Sequence, residues 1–246
     1  MMVRTVSDTA TLVVLAEDDW ATREQRYLER VEAFLAPHEA RMRAGRPHPV
    51  WDFLFTVADL LAATASRPAR LNCFGLHEWA MVYRAPEVRH DQVPLRLGAS
   101  GTDAVVESMP LRCSHFDAYR FFTDAAVPRN SETLTRHAQS ATEQPGCVHA
   151  NMDLYKWSYK LGPLLESNLL MDCLDLAADA RVLDMQASPY DLRAYGIEPI
   201  AIEDSTGRAE YARRQQDIAN RAVPLRHSML NQCQYLLALA DGGDMS

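Results

Sequence analysis

The stretch HANMDLYKWSYKL, residues 149–161, bears most directly on the fold because it favours a helix that also carries ionisable groups. His149 and Asp153 stand four residues apart, and such neighbours lie on one face of a helix. Lys156 and Trp157 follow one turn further along that face. The stretch therefore predicts a helix that presents a histidine–carboxylate pair in one direction.

Helical patterns extend on both sides of this stretch. Apolar residues such as Tyr27, Val31 and Leu35 recur at helical spacing and predict an N-terminal helical arm over about residues 18–46, which Pro37 kinks or splits. Residues 50–65 predict a buried helix, and residues 131–240 a helical C-terminal part.

The middle of the chain has a different pattern. Residues 93–123 contain β-branched and aromatic residues in partial alternation, with Gly98, Gly101 and Pro110 between the segments. We expect a small antiparallel sheet here, in which His115 and Asp117 point the same way because side chains on a strand alternate. The predicted fold class is α+β, mainly helical, with helices packed around the sheet in one domain over residues 1–246.

Composition narrows the classes of function. The net charge is −8, which argues against a protein that coats DNA but leaves room for a local basic groove. The sequence contains no secretory signal pattern and no run of eighteen apolar residues, so no membrane association is expected. Five widely spaced cysteines without a CxxC pair indicate reduced thiols and a cytoplasmic protein.

Four short stretches place ionisable residues among aromatic ones: LHEW (76–79), CSHFDAYRFF (113–122), CVHANMDLYKW (147–157) and SPYDLRAYG (188–196). Histidines with carboxylates can hold a catalytic divalent metal such as zinc or non-haem iron. Taken alone, each of these residues is more often a hydrogen-bonded core residue or a surface contact. Four such stretches in one chain make a shared site an alternative of comparable weight. The candidate metal ligands are His77, His115, His149 and Asp153, with the carboxylates Glu78 and Asp117 as further members of the set.

The same groups suit acid–base chemistry without a metal. Burial beside Trp79 disfavours the ionised form of Glu78, so we expect the pKa of Glu78 to be raised towards a useful range. The candidate catalytic residues are Glu78, His115, Asp117 and Asp153. Aromatic and basic side chains that can hold a planar substrate are Trp79, Tyr155, Lys156, Trp157 and Tyr190. For Trp79, core packing is the stronger alternative.

Several long motifs resemble those of an actinobacterial family commonly labelled 3-methyladenine DNA glycosylase. They cover most of the chain from His48 onward: HPVWDFLFT (48–56), FGLHEWAMVYR (74–84), RCSHFDAYRFFT (112–123), EQPGCVHANMDLYKWSYKLGP (143–163) and LDMQASPYDL (183–192). The resemblance implies a hydrolase that releases an alkylated purine base after flipping it into an aromatic pocket. It identifies no catalytic residues by itself.

On that interpretation the residues above take specific roles. Trp79, Tyr155 and Trp157 stack on the base, and Asp117 or Asp153 stabilises the positive charge that develops on the sugar. Glu78 or His115 orients the attacking water.

The family resembled carries a longer segment, containing an Arg-Trp-His-Pro stretch, after its counterpart of Thr56, and this chain is shorter there. That difference supports a third hypothesis, a binding protein without turnover. A metal-dependent enzyme acting on a small molecule remains the alternative from a different class.

Overall fold

The computed structural model describes residues 16–43, 49–88 and 90–242. Contacts divide the chain into two compact units, with the boundary between Asp52 and Phe53. The first unit contains helix α1, Glu17–Arg43, which runs unbroken through Pro37. The predicted arm thus forms a helix, and its last residues, 44–46, lie outside the described part of the chain.

The second unit is built on long helices whose apolar faces pack together. Helix α2, Pro49–Ala65, spans the unit boundary. It buries Leu54, Val57 and Leu61, which lie on one face of the helix because they are spaced at i, i+3 and i+7. Helix α7 is Val148–Leu161, α8 is Ser167–Ala187 and α9 is Ser205–Gly242. These three pack against one another, and α9 continues through Pro224.

The prediction of a small antiparallel sheet, and with it the α+β class, is wrong. Between residues 16 and 242, leaving out 44–48 and 89, the structure is mainly helical and contains no β-strand, only isolated bridges at Leu95–Tyr190 and Leu111–Asn130. Residues 98–108 form helix α4, Gly98–Ser108. Its buried side chains, Thr102, Val105 and Val106, have helical spacing, so packing of one helical face outweighs the β propensity of two valines.

The segment after Pro110 is also not a strand. It contains the short helix α5, Phe116–Tyr119, for which His115 is the N-cap residue. On this helical turn His115 and Tyr119 are both buried, whereas Asp117 points to a partly exposed position. His115 and Asp117 therefore do not share a face, and the period-two expectation for this pair is wrong.

Helix α3, Leu76–Ala80, places the first of the four motifs against α8. Gly75, immediately before it, has a φ of +73°, and a Cβ there would lie 2.9 Å from the Ala187 Cβ. Glycine therefore allows both the left-handed turn and the close approach. The Trp79 indole N–H then donates to the Ala187 carbonyl at 2.7 Å, which joins α3 to the end of α8.

Short helical turns complete the second unit. They are α6, Gln139–Thr142, and 3₁₀ turns at Val127–Arg129, Arg136–Ala138, Gly162–Leu164 and Arg193–Tyr195. None of the helices within the described residues is both long and apolar enough to cross a membrane.

Candidate metal centre

Three helices bring two histidines and two carboxylates together inside the second unit. His77 and Glu78 come from α3, His149 from α7 and Asp184 from α8. One potential ligand atom from each of the four lies within 4.8 Å of the other three. Of the predicted metal ligands, His77 and His149 are therefore in one place, together with Glu78.

His77 and Asp184 form the most buried polar contact of this group. His77 Nε2 lies 2.7 Å from Asp184 Oδ1, and the Asp184 side chain has no exposed surface. Burial alone would lower the pKa of His77, but the Asp184 carboxylate and then the Cys73 thiol outweigh it, so the pKa is raised. Burial opposes ionisation of Asp184, yet His77 lowers its pKa, and the two form an ion pair when no metal is bound.

Glu78 connects this buried group to solvent. Its carboxyl lies 3.6 Å from the Arg181 guanidinium, which is also 3.1 Å from Asp184. Burial, and secondly the neighbouring Asp184 charge, raise the pKa of Glu78 to about 7, which confirms the direction expected from sequence. Glu78 also lines an open cavity of about 320 Å³, whose wall includes Tyr190.

His149 is the residue at the centre of the arrangement. Its ring meets the His77 ring edge-on with centroids 4.5 Å apart, and it stacks on the His115 ring at 5.3 Å. Burial and the neighbouring His77 lower the pKa of His149 to about 3, so this imidazole is neutral at physiological pH. Neutral imidazole is the form that coordinates metal ions.

A second group lies on the other side of His149. His115, Glu143 and Asp153 each place a potential ligand atom within 4.8 Å of the other two. Burial opposes ionisation of Asp153, but hydrogen bonding and charge from His115 lower its pKa. The pKa of Glu143 is raised by burial.

Asp117 lies outside both groups, in an ion-pair network near the surface. Its carboxylate accepts hydrogen bonds from the Arg136 guanidinium and lies 3.4 Å from the Lys156 ammonium. The Arg136 hydrogen bonds lower the pKa of Asp117 to about 2. Lys156 also contacts Asp153, so it links Asp117 to the second group.

The aromatic residues that were predicted to bind substrate lie in different surroundings. Trp79 is fully buried in the core, and Tyr190 lies in the wall of the open cavity, where its ring contacts His90. Tyr155 packs near Tyr159, with ring centroids 6.2 Å apart. Trp157 contacts Phe53 and lies under the ammonium of Lys156, 4.3 Å from its ring centre. Trp79 and Tyr190 therefore have different surroundings, one in the core and the other in the wall of a cavity.

A small enclosed cavity of about 10 Å³ borders His77 and His149. Its wall also includes Tyr211 and Gln215, and both the Tyr211 hydroxyl and Gln215 Oε1 are buried without a hydrogen-bond partner in the described chain. A space of this size is at the lower limit for one water molecule. Burial raises the pKa of Cys147, which lies in the same wall, so its thiol stays protonated.

Sequence reasoning missed Asp184 and Glu143. A usable signal existed for Asp184, because it interrupts the buried face of α8 between Ala180 and Ala187, at helical spacing. An acidic residue on an apolar helical face needs a partner when it is buried. Glu143 follows the short helix α6, and no periodicity indicates its burial.

No family model matches the chain, and comparisons with curated proteins and with solved structures return no match either.

Proposed function

We propose that this protein is a metal-dependent enzyme acting on a small molecule, with His77, Glu78, His149 and Asp184 as the metal ligands. The observation that carries the proposal is the meeting of two imidazoles and two carboxylates, from three helices, with ligand atoms within 4.8 Å. Histidine and carboxylate ligands together suit zinc and non-haem iron. A buried carboxylate such as Asp184 is costly unless a cation neutralises it, and a divalent ion does so.

The surroundings of the centre support catalysis. Glu78, one of the proposed ligands, also lines the open cavity of about 320 Å³, so a substrate in that cavity would lie next to the proposed centre. A metal ion there would polarise a substrate oxygen or activate bound water or dioxygen. Tyr190 and Arg181 line the same cavity and would orient the substrate. We place the enzyme in the cytoplasm, where its five free cysteines stay reduced.

The decisive experiment is elemental mass spectrometry on protein purified without chelators or a metal-binding tag. We expect near-stoichiometric iron, zinc or manganese in the wild type and loss of that metal in Asp184→Asn and His149→Ala. His137→Ala is the matched control, because His137 is exposed and belongs to neither group, and its metal content stays at the wild-type level. Circular dichroism of each variant shows whether the helices are retained.

Protein that contains no metal and binds none on addition would overturn this proposal. Release of a methylated base from alkylated DNA by such metal-free protein would favour the second candidate, a DNA glycosylase. That candidate is supported by the resemblance of the sequence motifs and by Glu78 and Tyr190 in the wall of one cavity. The net charge of −8 does not support DNA as a partner, so a nucleobase or another small molecule is the preferred substrate.

A further inference from the structure

We propose that His115, Glu143 and Asp153 bind a second metal ion, so that two metal positions flank His149. The inference builds on the proposed function, because the first position is the one formed by His77, Glu78, His149 and Asp184. It makes the centre dinuclear rather than mononuclear.

The distances in this second group match those between ligands of one metal ion. His115 Nε2 lies 3.2 Å from Glu143 Oε1 and also 3.2 Å from Asp153 Oδ2. Ligand atoms bound at about 2.1 Å, with angles between octahedral and tetrahedral values, are roughly 3.0–3.4 Å apart. A charge-assisted hydrogen bond from nitrogen to a carboxylate is shorter, at about 2.7–2.9 Å.

Hydrogen bonding within the protein leaves the group incompletely satisfied. One N–H at Nε2 cannot serve two carboxylate oxygens well. His115 is only 1% exposed and the Glu143 side chain 3%, so bulk water does not supply the deficit. A cation bound between the three side chains would satisfy both carboxylates together.

Lys156 supplies positive charge on one side of the group. Its ammonium contacts Asp153, but it also lies 3.4 Å from Asp117, which Arg136 holds in addition. When a metal ion neutralises Asp153, Lys156 therefore keeps a partner in Asp117. Glu143 has His115 and the Gln139 amide as partners, and no lysine or arginine ion pair to it is found in the described chain.

His149 brings the two positions next to each other. Its ring contacts the His77 ring of the first group and the His115 ring of the second. Helix α7 supplies a member of each group, since His149 and Asp153 are one turn apart.

The test is a Zn²⁺ titration of the full chain after removal of bound metal with a chelator. We expect two equivalents for the wild type, one for Glu143→Gln and one for His115→Ala. Lys160→Met, which removes an exposed lysine of the same helix whose ammonium faces the Trp157 ring, keeps two.

The possible results separate this inference from the proposed function. A single equivalent that both Glu143→Gln and His115→Ala retain, while Asp184→Asn loses it, overturns the second position and leaves the first. Two equivalents that neither variant changes also overturn the second position. No binding at all overturns both proposals. Glu143→Gln is isosteric, so it remains informative if His115→Ala fails to fold.

Discussion

At the scale of single residues, Asp117 and Asp153 show how surroundings separate two similar groups. Both carboxylates lie near Lys156, yet Asp117 is held by Arg136 in a partly exposed position, while Asp153 faces the buried His115. Asp117 was predicted to be catalytic alongside Asp153. Its ion pairs with Arg136 and Lys156 explain why it is ionised without assuming a catalytic role. We therefore expect Asp117 to contribute to the stability of the fold.

Asp117→Asn tests that expectation. The folded-state pKa of Asp117, about 2, lies below the value of about 3.9 for an unfolded chain. Its ionised form therefore stabilises the fold above about pH 4, and that contribution disappears as the pH falls through 2. We expect the variant to lose about 1 kcal/mol of unfolding free energy at pH 7, because the network is partly screened by solvent.

Urea unfolding at a series of pH values between 7 and 2 measures the effect. The difference between wild type and Asp117→Asn should shrink steadily below about pH 4. Asp124→Asn is the control, since Asp124 is an exposed acidic residue close in sequence, and it should show no such trend. A difference that grows as the pH falls would contradict the ion-pair interpretation.

At the scale of elements, the contact between α3 and α8 holds three of the four proposed metal ligands together. Gly75 starts α3 in a left-handed conformation, and His77 and Glu78 follow within one turn. Ala187 on α8 faces Gly75, while Asp184 lies one turn earlier on the same helix. The small residues at this contact therefore set the distance between ligands on the two helices.

Gly75→Ala and Gly196→Ala form a matched pair of variants. Both glycines have a φ near +75°, but a Cβ at Gly75 meets Ala187 at 2.9 Å and one at Gly196 meets nothing within 4 Å. Both variants carry the backbone cost of about 1–2 kcal/mol for a left-handed alanine. Gly75→Ala adds the cost of overpacking, about 1–3 kcal/mol, because α3 must move away from α8.

Thermal or urea unfolding of the two variants gives the stability difference, and elemental analysis gives the metal content. We expect Gly75→Ala to lose metal because His77 and Glu78 shift away from Asp184, while Gly196→Ala keeps it. Equal unfolding free energies for the two variants would show that the α3–α8 contact accommodates a methyl group.

At the scale of the whole molecule, the packed helices of the second unit also enclose a buried arginine. Arg226 on α9 is 2% exposed, and its guanidinium donates to Asn151 Oδ1 on α7 at 2.6 Å. Burial lowers the pKa of Arg226. This hydrogen bond joins two of the long helices, and it compensates part of the desolvation of the arginine.

Asn151→Ala should therefore destabilise the protein strongly. It leaves the buried Arg226 charge without this acceptor, and we expect a loss of about 1.5–3 kcal/mol of unfolding free energy. Chemical denaturation at pH 7 measures it. The double variant Asn151→Leu with Arg226→Met replaces the pair by apolar side chains and should lose less than Asn151→Ala alone. A larger loss in the double variant would mean that Arg226 stabilises the fold through other contacts.

Local sequence patterns are sufficient for the long helices and for part of the site. The buried helix expected at residues 50–65 and that at 149–161 are present as α2 and α7, within one residue at each end. The raised pKa of Glu78 was also predictable, since an acidic residue inside an apolar stretch is buried almost wherever that stretch packs. At residues 98–108, β propensity and helical spacing indicate different structures, and the predicted sheet is a helix in the structure.

The sequence by itself thus determined the principal helices and several chemically important residues, because both follow from the order of neighbouring side chains. Only the tertiary structure decided that His77, Glu78 and His149 meet Asp184, and that His115 and Asp153 meet Glu143. Those partners are separated by up to 107 positions, as in the His77–Asp184 hydrogen bond. Which residues meet across such separations in sequence depends on how the faces of different helices pack. The periodicity within one helix shows which of its faces is buried, but not which other helix packs against that face.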